Sequence, residues 1–280
     1  MLDPVEIQSL LLWLVPLLAL TGIIAGVIAG LLGVGGGIVI VPALYHVFSY
    51  LGIDAEIRMH LAVGTSLATI IPTSIRSALS HYRRGAFDAA LFRQWAPGMF
   101  FGALLGTWLA NQVEFPTLTA IFAVVALCVA LHMGFSRNEL QLRAAPPGGI
   151  GAFSLTGIIG TVSAMMGIGG GILSVPIMTL FGIPIHRAVG TVAGLGMIIA
   201  IPGTIGFMLG GSGVTGLPPF SVGYVNWLGF CLIVPATILT VPLGARLTHA
   251  LNPQPLRKVF ALFLGITAIR MFADILTLSN

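Results

Sequence analysis

The feature that most restricts the fold of this chain is a series of apolar stretches separated by short polar segments. They fall at about residues 10–32, 38–51, 60–80, 89–110, 116–134, 150–166, 172–185, 187–210, 223–247 and 255–277. A helix needs about 20 apolar residues to cross a bilayer, whereas a run of roughly 10–14 is more typical of a re-entrant or buried segment. Only 7% of the residues are charged, against about 25% in a soluble domain. The sequence therefore predicts an all-α, polytopic membrane protein.

The composition also excludes several functional classes. Cys128 and Cys231 lie inside apolar stretches and form no CxxC motif or Cys/His cluster, so we expect no disulfide framework and no metal site. The 12 basic residues are scattered and include no run that would bind nucleic acid. The chain has no nucleophile elbow, no HExxH motif and no paired acids. We expect neither an enzyme activity nor a cofactor.

The two halves of the chain repeat the same order of stretch lengths and the same sequence blocks. One block reads Gly33-Val-Gly-Gly-Gly37 followed by Val41-Pro42, and it returns as Gly167-Ile-Gly-Gly-Gly171 followed by Val175-Pro176. A second block reads His60-Leu-Ala-Val-Gly-Thr65 and returns as His186-Arg-Ala-Val-Gly-Thr191. A separation of 138 residues links Pro97, Gly106, Leu118, Phe122 and Met133 to Pro235, Gly244, Leu256, Phe260 and Met271. We interpret this as an internal duplication, with repeats at 1–134 and 149–280 joined by a linker at 135–148.

The distribution of basic residues predicts how the halves are oriented, because Lys and Arg concentrate in cytoplasmic loops. If the first two stretches of each half return the chain to its starting side, the other three invert the second half relative to the first. One side then collects Arg83, Arg84, Arg93, Arg137, Arg143, Arg187, Arg246, Arg257 and Lys258, and the other only Arg58 and at most Arg270. Four parallel spans per half would divide the same residues about evenly. We therefore predict two inverted repeats, with both termini outside the cytoplasm and a cytoplasmic linker; whether 38–51 and 172–185 span or re-enter stays open.

Each half contains one short segment that is opened by a glycine cluster and broken by a proline. The clusters are Gly33, Gly35, Gly36 and Gly37, and Gly167, Gly169, Gly170 and Gly171. Many secondary transporters bind their substrate where broken helices of two inverted repeats meet. Glycine permits close approach to the backbone, and the first amides of a helix have no partner within it, so two such helix ends can hold an anion. A single cluster is more typical of a tight loop or of close helix packing, but two in register favour a substrate site.

The third stretch of each half adds polar candidates. Thr65, Thr69, Thr73 and Arg76 share one face of a helix, and Thr191 is the counterpart of Thr65. Arg76 suits anion binding, or else it simply reaches the cytoplasmic headgroups. The threonines contact substrate or bond to their own helix carbonyls; Thr65, Ser66 and Thr191 are the stronger candidates. His60 and His186 begin equivalent helices, either as protonation switches or, more commonly, as helix caps.

The repeated G-x-GGG-x3-V-P and H-x-A-V-G-T blocks resemble those of the TauE/SafE sulfite exporter family, also called the 4-toluene sulfonate uptake permease family. The resemblance covers nearly the whole chain and both copies of each block. It implies a transporter of small sulfur-containing anions, such as sulfite or an organosulfonate, in the bacterial inner membrane. The second copy is shorter between Pro176 and His186, so we expect the two half-sites to be unequal.

The functional expectation is export of such an anion by alternating access between the halves. The alternative is an uptake permease for an organic acid or sulfonate, coupled to an ion. None of the eight acidic residues lies in the middle of an apolar stretch, and the membrane potential by itself favours anion exit, so export needs no coupling ion. The expected partners are the anionic substrate and lipids. A homodimer is also compatible, because the Gly22/Gly26/Gly30 and Gly102/Gly106 spacings fit helix packing within one chain or between chains.

Overall fold

A computed structural model describes the backbone of residues 4–33, 35–135, 147–250 and 254–278, and the side chains of 13–33, 35–132, 147–247 and 261–276. Within these ranges the helices are α1 (Pro4–Leu32), α2 (Gly37–Tyr50), α3 (Ala55–Tyr82), α4 (Ala89–Ala110), α5 (Phe115–Phe135), α6 (Gly149–Met165), α7 (Gly171–Leu180), α8 (Ile185–Gly210), α9 (Trp227–Ala250) and α10 (Gln254–Leu278). A short antiparallel hairpin, β1 (Ser221–Val222) and β2 (Val225–Asn226), precedes α9. Most of the predicted linker, residues 136–146, lies outside the described residues.

Each predicted apolar stretch corresponds to one helix, with two differences at the boundaries. The stretch predicted at 172–185 stops being helical at Leu180, because Gly182 adopts a left-handed φ of 76° and Pro184 caps the next helix. The stretch predicted from residue 223 begins with β2 instead of a helix, after Gly223 with a φ of 53°. Gly182 lies just after the end of α7, and Gly223 lies in the turn between β1 and β2; an apolar stretch does not reveal either positive φ.

The surface of the molecule is apolar in the way that a lipid-facing surface requires. Large hydrophobic side chains are widely exposed, among them Trp13 at 81% and Leu239 at 75%. A soluble protein does not leave so many large apolar side chains in water. In the described part of the chain, four helical segments are long and apolar enough to cross a membrane by length and composition: Trp13–Leu32, Phe115–His132, Ile185–Gly210 and Trp227–Leu247. The chain is a multi-pass membrane protein.

Helix α3 lies at the centre of the molecule, in contact with α1, α2, α5, α8 and α9. With 28 residues, α3 is about as long as the most apolar helices, but it carries many hydroxyl side chains. These are almost fully buried: Thr65, Ser66, Thr69, Thr73, Ser74 and Ser77. Because neighbouring helices cover α3, its polar groups meet protein rather than lipid, which removes the need for an apolar surface.

Helices in equivalent positions of the two halves make equivalent contacts. Helix α1 packs along α9, and its counterpart α6 packs along α4. Within the first pair, Gly22 meets Ile233, Gly26 meets Thr237 and Gly30 meets Val241, so these two helices run parallel. The second pair shows the same parallel order of contacts: Gly98 with Phe153, Gly102 with Gly157, and Gly106 with Thr161. The regularly spaced glycines therefore pack helices within one chain.

Helices α3 and α8, which carry the two H-x-A-V-G-T blocks, run antiparallel to each other. Gly64 lies against Phe207, Leu67 against Gly203, and Ser74 against Gly196. Residue numbers thus rise along α3 as they fall along α8. The two helices that carry these blocks therefore cross the molecule in opposite directions.

Candidate functional site

The two glycine clusters meet in the interior of the molecule. A Cβ atom added to Gly37 would collide with the Gly167 carbonyl oxygen and would lie 3.1 Å from the Ile168 Cα. The Gly167 carbonyl also accepts a hydrogen bond of 2.8 Å from the Ser66 hydroxyl. A side chain at Gly37 would therefore push the clusters apart, which gives a steric reason for glycine there. The two clusters are therefore in contact, as the sequence predicted.

The backbone conformation of the clusters explains why both helices begin where they do. Gly36 and Gly170 are the N-cap residues of α2 and α7, and both are left-handed, with φ of 80° and 75°. The first glycines, Gly33 and Gly167, have φ of 68° and 69°. L-residues with a Cβ rarely adopt this region, so the clusters hold a sharp turn in front of each short helix. Neither N-cap has a side chain that bonds to the first amides.

The first glycine of each cluster packs against the second sequence block of the opposite half. A Cβ on Gly33 would lie 2.5 Å from the carbonyl oxygen of Val189, and one on Gly167 would lie 3.0 Å from the Cα of Val63. Val63 and Val189 are the equivalent valines of the two H-x-A-V-G-T blocks. The two repeated motifs are therefore parts of one interface between the halves.

The threonines of these blocks bond to the residues that begin the fourth helix of the other half. The Thr65 Oγ1 accepts a hydrogen bond of 2.9 Å from the Asn226 amide, and the Thr191 Oγ1 accepts one of 3.0 Å from the Asp88 amide. Asp88 caps α4 by accepting from the Ala90 and Leu91 amides, and Asn226 accepts from the Gly229 amide in α9. Thr65 and Thr191 thus connect the halves near the helix starts, and their contact with substrate stays a prediction.

The start of α7 carries a run of backbone amides without acceptors. The amides of residues 169–173 donate no hydrogen bond to any residue that the structure describes; the first paired amide in α7 is that of Ser174, which donates to the Gly170 carbonyl at 3.0 Å. Residues 169–172 are buried, and so are residues 35–38 before and at the start of α2, whose amides also have no acceptor among the described residues. Buried backbone amides are almost always paired in folded proteins, so such a run is typical of a site for an acceptor.

Two serine hydroxyls border the same region. The Ser74 Oγ and the Ser174 Oγ are both buried and have no hydrogen-bond partner among the described residues. The Ser74 Oγ lies 2.5 Å from the Cβ position of Gly196, and the carbonyl oxygen of Gly169 lies 3.2 Å from that position. The Ser174 Oγ lies 3.9 Å from the Cβ position of Gly170. Both hydroxyls therefore adjoin the second cluster.

The hydrogen bonds described for the other candidates from the sequence do not reach the clusters. Arg76 is half-buried, its Nε has no partner among the described residues, and none of its described bonds reaches either cluster. The Thr69 and Thr73 hydroxyls donate to carbonyls of their own helix, as the alternative interpretation predicted. The Nε2 of buried His60 lies 2.9 Å from the Ala110 carbonyl oxygen in the last turn of α4, whereas His186 is exposed.

The electrostatics of the interior depend on dipoles, because no Asp, Glu, Lys or Arg is buried in the part of the chain that the structure describes. No group of three or more His, Cys, Asp or Glu residues that could hold a metal ion occurs in that part either. A helix N-terminus is equivalent to roughly half a positive charge. The arrangement therefore offers a buried interior with hydrogen-bond donors and partial positive charge.

The sequence did not identify Ser74 and Ser174. Ser74 lies one residue after Thr73 on a helix with many hydroxyls, and Ser174 lies inside the G-x-GGG-x3-V-P block at a variable position. One signal was available: Ile40 is the residue at the position of Ser174 in the first copy of the block. The two blocks therefore differ at this position, where the first has the apolar Ile40 and the second has the hydroxyl of Ser174.

Comparison with known proteins places the chain among membrane transporters. The family model described as sulfite exporter TauE/SafE matches residues 18–271. A probable membrane transporter protein of Haemophilus influenzae is 34% identical over 260 residues, which cover 90% of this chain and 96% of that protein. The probable membrane transporter protein MJ0441 of Methanocaldococcus jannaschii is 27% identical, with 95% and 98% covered, and YunE of Bacillus subtilis is 25% identical, with 90% and 94% covered. No solved structure matches the chain.

Proposed function

The chain belongs to the sulfite exporter TauE/SafE family of membrane transporters, and on that basis we propose that it exports a small sulfur-containing anion, such as sulfite or an organosulfonate. The observation that carries the proposal is the meeting of two left-handed glycine turns and their helix starts in a buried interior. Helix starts supply hydrogen-bond donors and partial positive charge, which suit an anion and do not suit a cation.

We further propose that the two halves are inverted with respect to the membrane. The antiparallel course of α3 and α8 supports this arrangement, because equivalent helices of inverted repeats must run in opposite directions. Arg83, Arg84, Arg93, Arg187 and Arg246 then lie on the cytoplasmic side, which agrees with the preference of basic residues for that side. The termini lie on the extracytoplasmic side of the inner membrane.

Alternating access in this proposal uses the paired contacts at the starts of α9 and α4. The bond between Thr65 and Asn226 closes the halves at one end, and the bond between Thr191 and Asp88 closes them at the other. Opening the site to one side requires separation of the contacts at that end alone. The anion is then exposed to each side in turn.

The membrane potential supplies the driving force for export in this proposal. An anion that leaves an inside-negative cell gains roughly 2.3 kcal/mol per charge per 100 mV. No buried carboxylate in the described part of the chain is placed to carry a coupled proton or cation. The second candidate, ion-coupled uptake of an organic acid or sulfonate, needs such a group or a proton carried by the substrate itself.

Purified protein in sealed liposomes loaded with radiolabelled sulfite or methanesulfonate tests the proposal. We expect release of label that accelerates under a potential that draws anions outward, and no release from liposomes without protein. Release of neither anion would contradict the substrate class. Flux that ignores the imposed potential but follows a proton or sodium gradient would favour the uptake permease.

Orientation is tested separately by single cysteines at two exposed positions. In a background where Cys128 and Cys231 are serine, Glu56→Cys lies at the start of α3 and His186→Cys near the start of α8. An impermeant maleimide added to intact cells should label the first variant and spare the second until the cells are opened. Labelling of both from one side would contradict the inverted arrangement.

A further inference from the structure

Both glycine clusters carry buried backbone amides without an acceptor among the described residues, at 35–38 and at 169–172, and the second cluster adds unpartnered hydroxyls. Five successive amides, those of residues 169–173, are without an acceptor among the described residues, and the unpartnered hydroxyl of Ser174 projects from the first turns of the same helix. A side chain in a helix leans toward the N-terminus, so Ser174 extends toward those amides. Leaving so many buried donors unpaired would cost several kcal/mol in total, at about 1–3 kcal/mol for each.

The first half contributes to this region through one hydroxyl. The Ser74 Oγ of α3 lies 3.4 Å from the Cβ position of Gly35, and it adjoins Gly196 and the Gly169 carbonyl. Ser74 therefore lies between the clusters and reaches the second one. It is 1% exposed and unpartnered, which leaves its proton available to a ligand held there.

The equivalent positions in the opposite half cannot repeat this arrangement. Ile40 takes the place of Ser174, and Ala200 that of Ser74. Both are buried and apolar. The unpaired hydroxyls therefore lie at the second cluster alone in this comparison, although the backbone turns and free amides of the two clusters are alike.

We propose that the transported anion is bound off the symmetry axis, at the start of α7, by the amides of residues 169–173 and the hydroxyls of Ser74 and Ser174. This inference rests on the proposed function and defines its substrate-binding groups. The Gly167 carbonyl already accepts from Ser66, so a nearby acceptor is occupied and the site presents mainly donors. Such a site selects a compact oxyanion with several unprotonated oxygens, as in sulfite or the head of a sulfonate.

The test is equilibrium binding of radiolabelled sulfite to the purified full-length protein in detergent, with methanesulfonate and phosphate as competitors. Ser74→Ala and Ser174→Ala should each weaken sulfite binding by about tenfold to a hundredfold, the usual effect of losing a hydrogen bond to a charged group. Ser77→Ala is the matched control, because Ser77 is equally buried on α3 and its hydroxyl donates to the Ala29 carbonyl at 3.3 Å. That variant should bind sulfite like the wild type. If an alanine variant fails to fold, the cysteine variant keeps the size and replaces the hydroxyl by a weak donor.

The outcomes separate this inference from the proposed function. Sulfite binding that is unchanged in Ser74→Ala and Ser174→Ala, or weakened equally in Ser77→Ala, would overturn the inference and leave the proposed function standing. Binding of phosphate but not of sulfite or methanesulfonate, with the same dependence on both serines, would support the donor set and contradict the sulfur substrate. A protein that binds none of the three anions would overturn both.

Discussion

The hydroxyl of Thr191 accepts a hydrogen bond of 3.0 Å from the backbone amide of Asp88, across the boundary between the two halves of the chain. The bond between Thr65 and Asn226 is its equivalent at the other end of the molecule. The two ends differ in chemistry. Asp88 is partly exposed and paired with the Arg187 guanidinium, whereas Asn226 is buried and neutral. The interface therefore closes with an ion pair at one end and an uncharged network at the other.

Removing these two acceptors should have unequal effects. Thr65→Val leaves the buried Asn226 amide without its partner and should cost about 1–3 kcal/mol of stability. Thr191→Val exposes the Asp88 amide to water and should cost roughly 0.5–1.5 kcal/mol. Thermal unfolding of both variants in one detergent measures the difference. Equal loss in the two variants would contradict the difference in burial.

The carboxylate of Asp88 makes the stability of the contact between α4 and α8 depend on pH. The hydrogen bond from the Leu91 amide, together with the Arg187 guanidinium and the Ala90 amide, holds the pKa of Asp88 below its usual value of 3.8. Because the folded-state pKa is the lower one, the stabilisation is present above the unfolded-state pKa and is lost as the pH falls through the folded-state pKa. We expect Asp88→Asn to lower the melting temperature at about pH 7. The difference from the wild type should shrink as the pH falls below 3.8, the usual pKa of the carboxyl.

Arg187→Gln provides the control for that comparison. It removes the ion pair and leaves the helix-capping bonds of Asp88 to Ala90 and Leu91 in place. Since the Arg187 side chain is 56% exposed, its loss should cost no more than about 1 kcal/mol. Asp88→Ala removes both the cap and the ion pair, so a loss in Arg187→Gln as large as that in Asp88→Ala would show that the ion pair matters more than the cap.

Gly170 and Gly182 form a matched pair for the turn before α7 and the turn after it. Their φ values are 75° and 76°, so alanine should impose about the same backbone strain at each, roughly 1–2 kcal/mol. A Cβ at Gly170 would lie 2.7 Å from the Ile199 Cδ1 and beside Ser174, whereas one at Gly182 would meet nothing within 4 Å. We expect Gly170→Ala to lose sulfite binding and Gly182→Ala to keep it. Equal binding would place the anion elsewhere.

The contact between the two clusters is tested by Gly37→Ala. Gly37 is helical and accepts an alanine conformation, but the added Cβ would collide with the Gly167 carbonyl and come within 2.9 Å of the Ile70 Cδ1. We expect a large loss of transport, because the two helix starts must move apart. Gly265→Ala, where the Cβ meets nothing within 4 Å, should transport sulfite normally. Normal transport by Gly37→Ala would contradict a requirement for this contact.

Much of the fold could be predicted from residues alone. The apolar stretches gave the helices to within a few residues, because hydropathy over a long window depends little on neighbours. The glycine clusters marked the two broken helices, since a left-handed turn needs glycine wherever it occurs. The end of α7 at Leu180 and the hairpin before α9 were not predicted, because both depend on single glycines inside apolar runs.

The site was only partly predictable. The clusters and Ser66 were identified from sequence and lie together, but Thr65 and Thr191 proved to bond to the starts of α9 and α4. Nothing local distinguishes Ser74, which lacks a partner, from Ser77, which has one. Whether a hydroxyl is satisfied depends on the helix packed against it.

By itself, the sequence determined an all-α membrane protein with an internal repeat and two glycine-opened helices, because hydropathy, repetition and the conformational freedom of glycine are local properties. Only the tertiary structure decided that the clusters touch, that α3 and α8 run antiparallel, and that the unpartnered hydroxyls of Ser74 and Ser174 both adjoin the second cluster. These are relations between distant segments, set by which surfaces exclude lipid and water from one another.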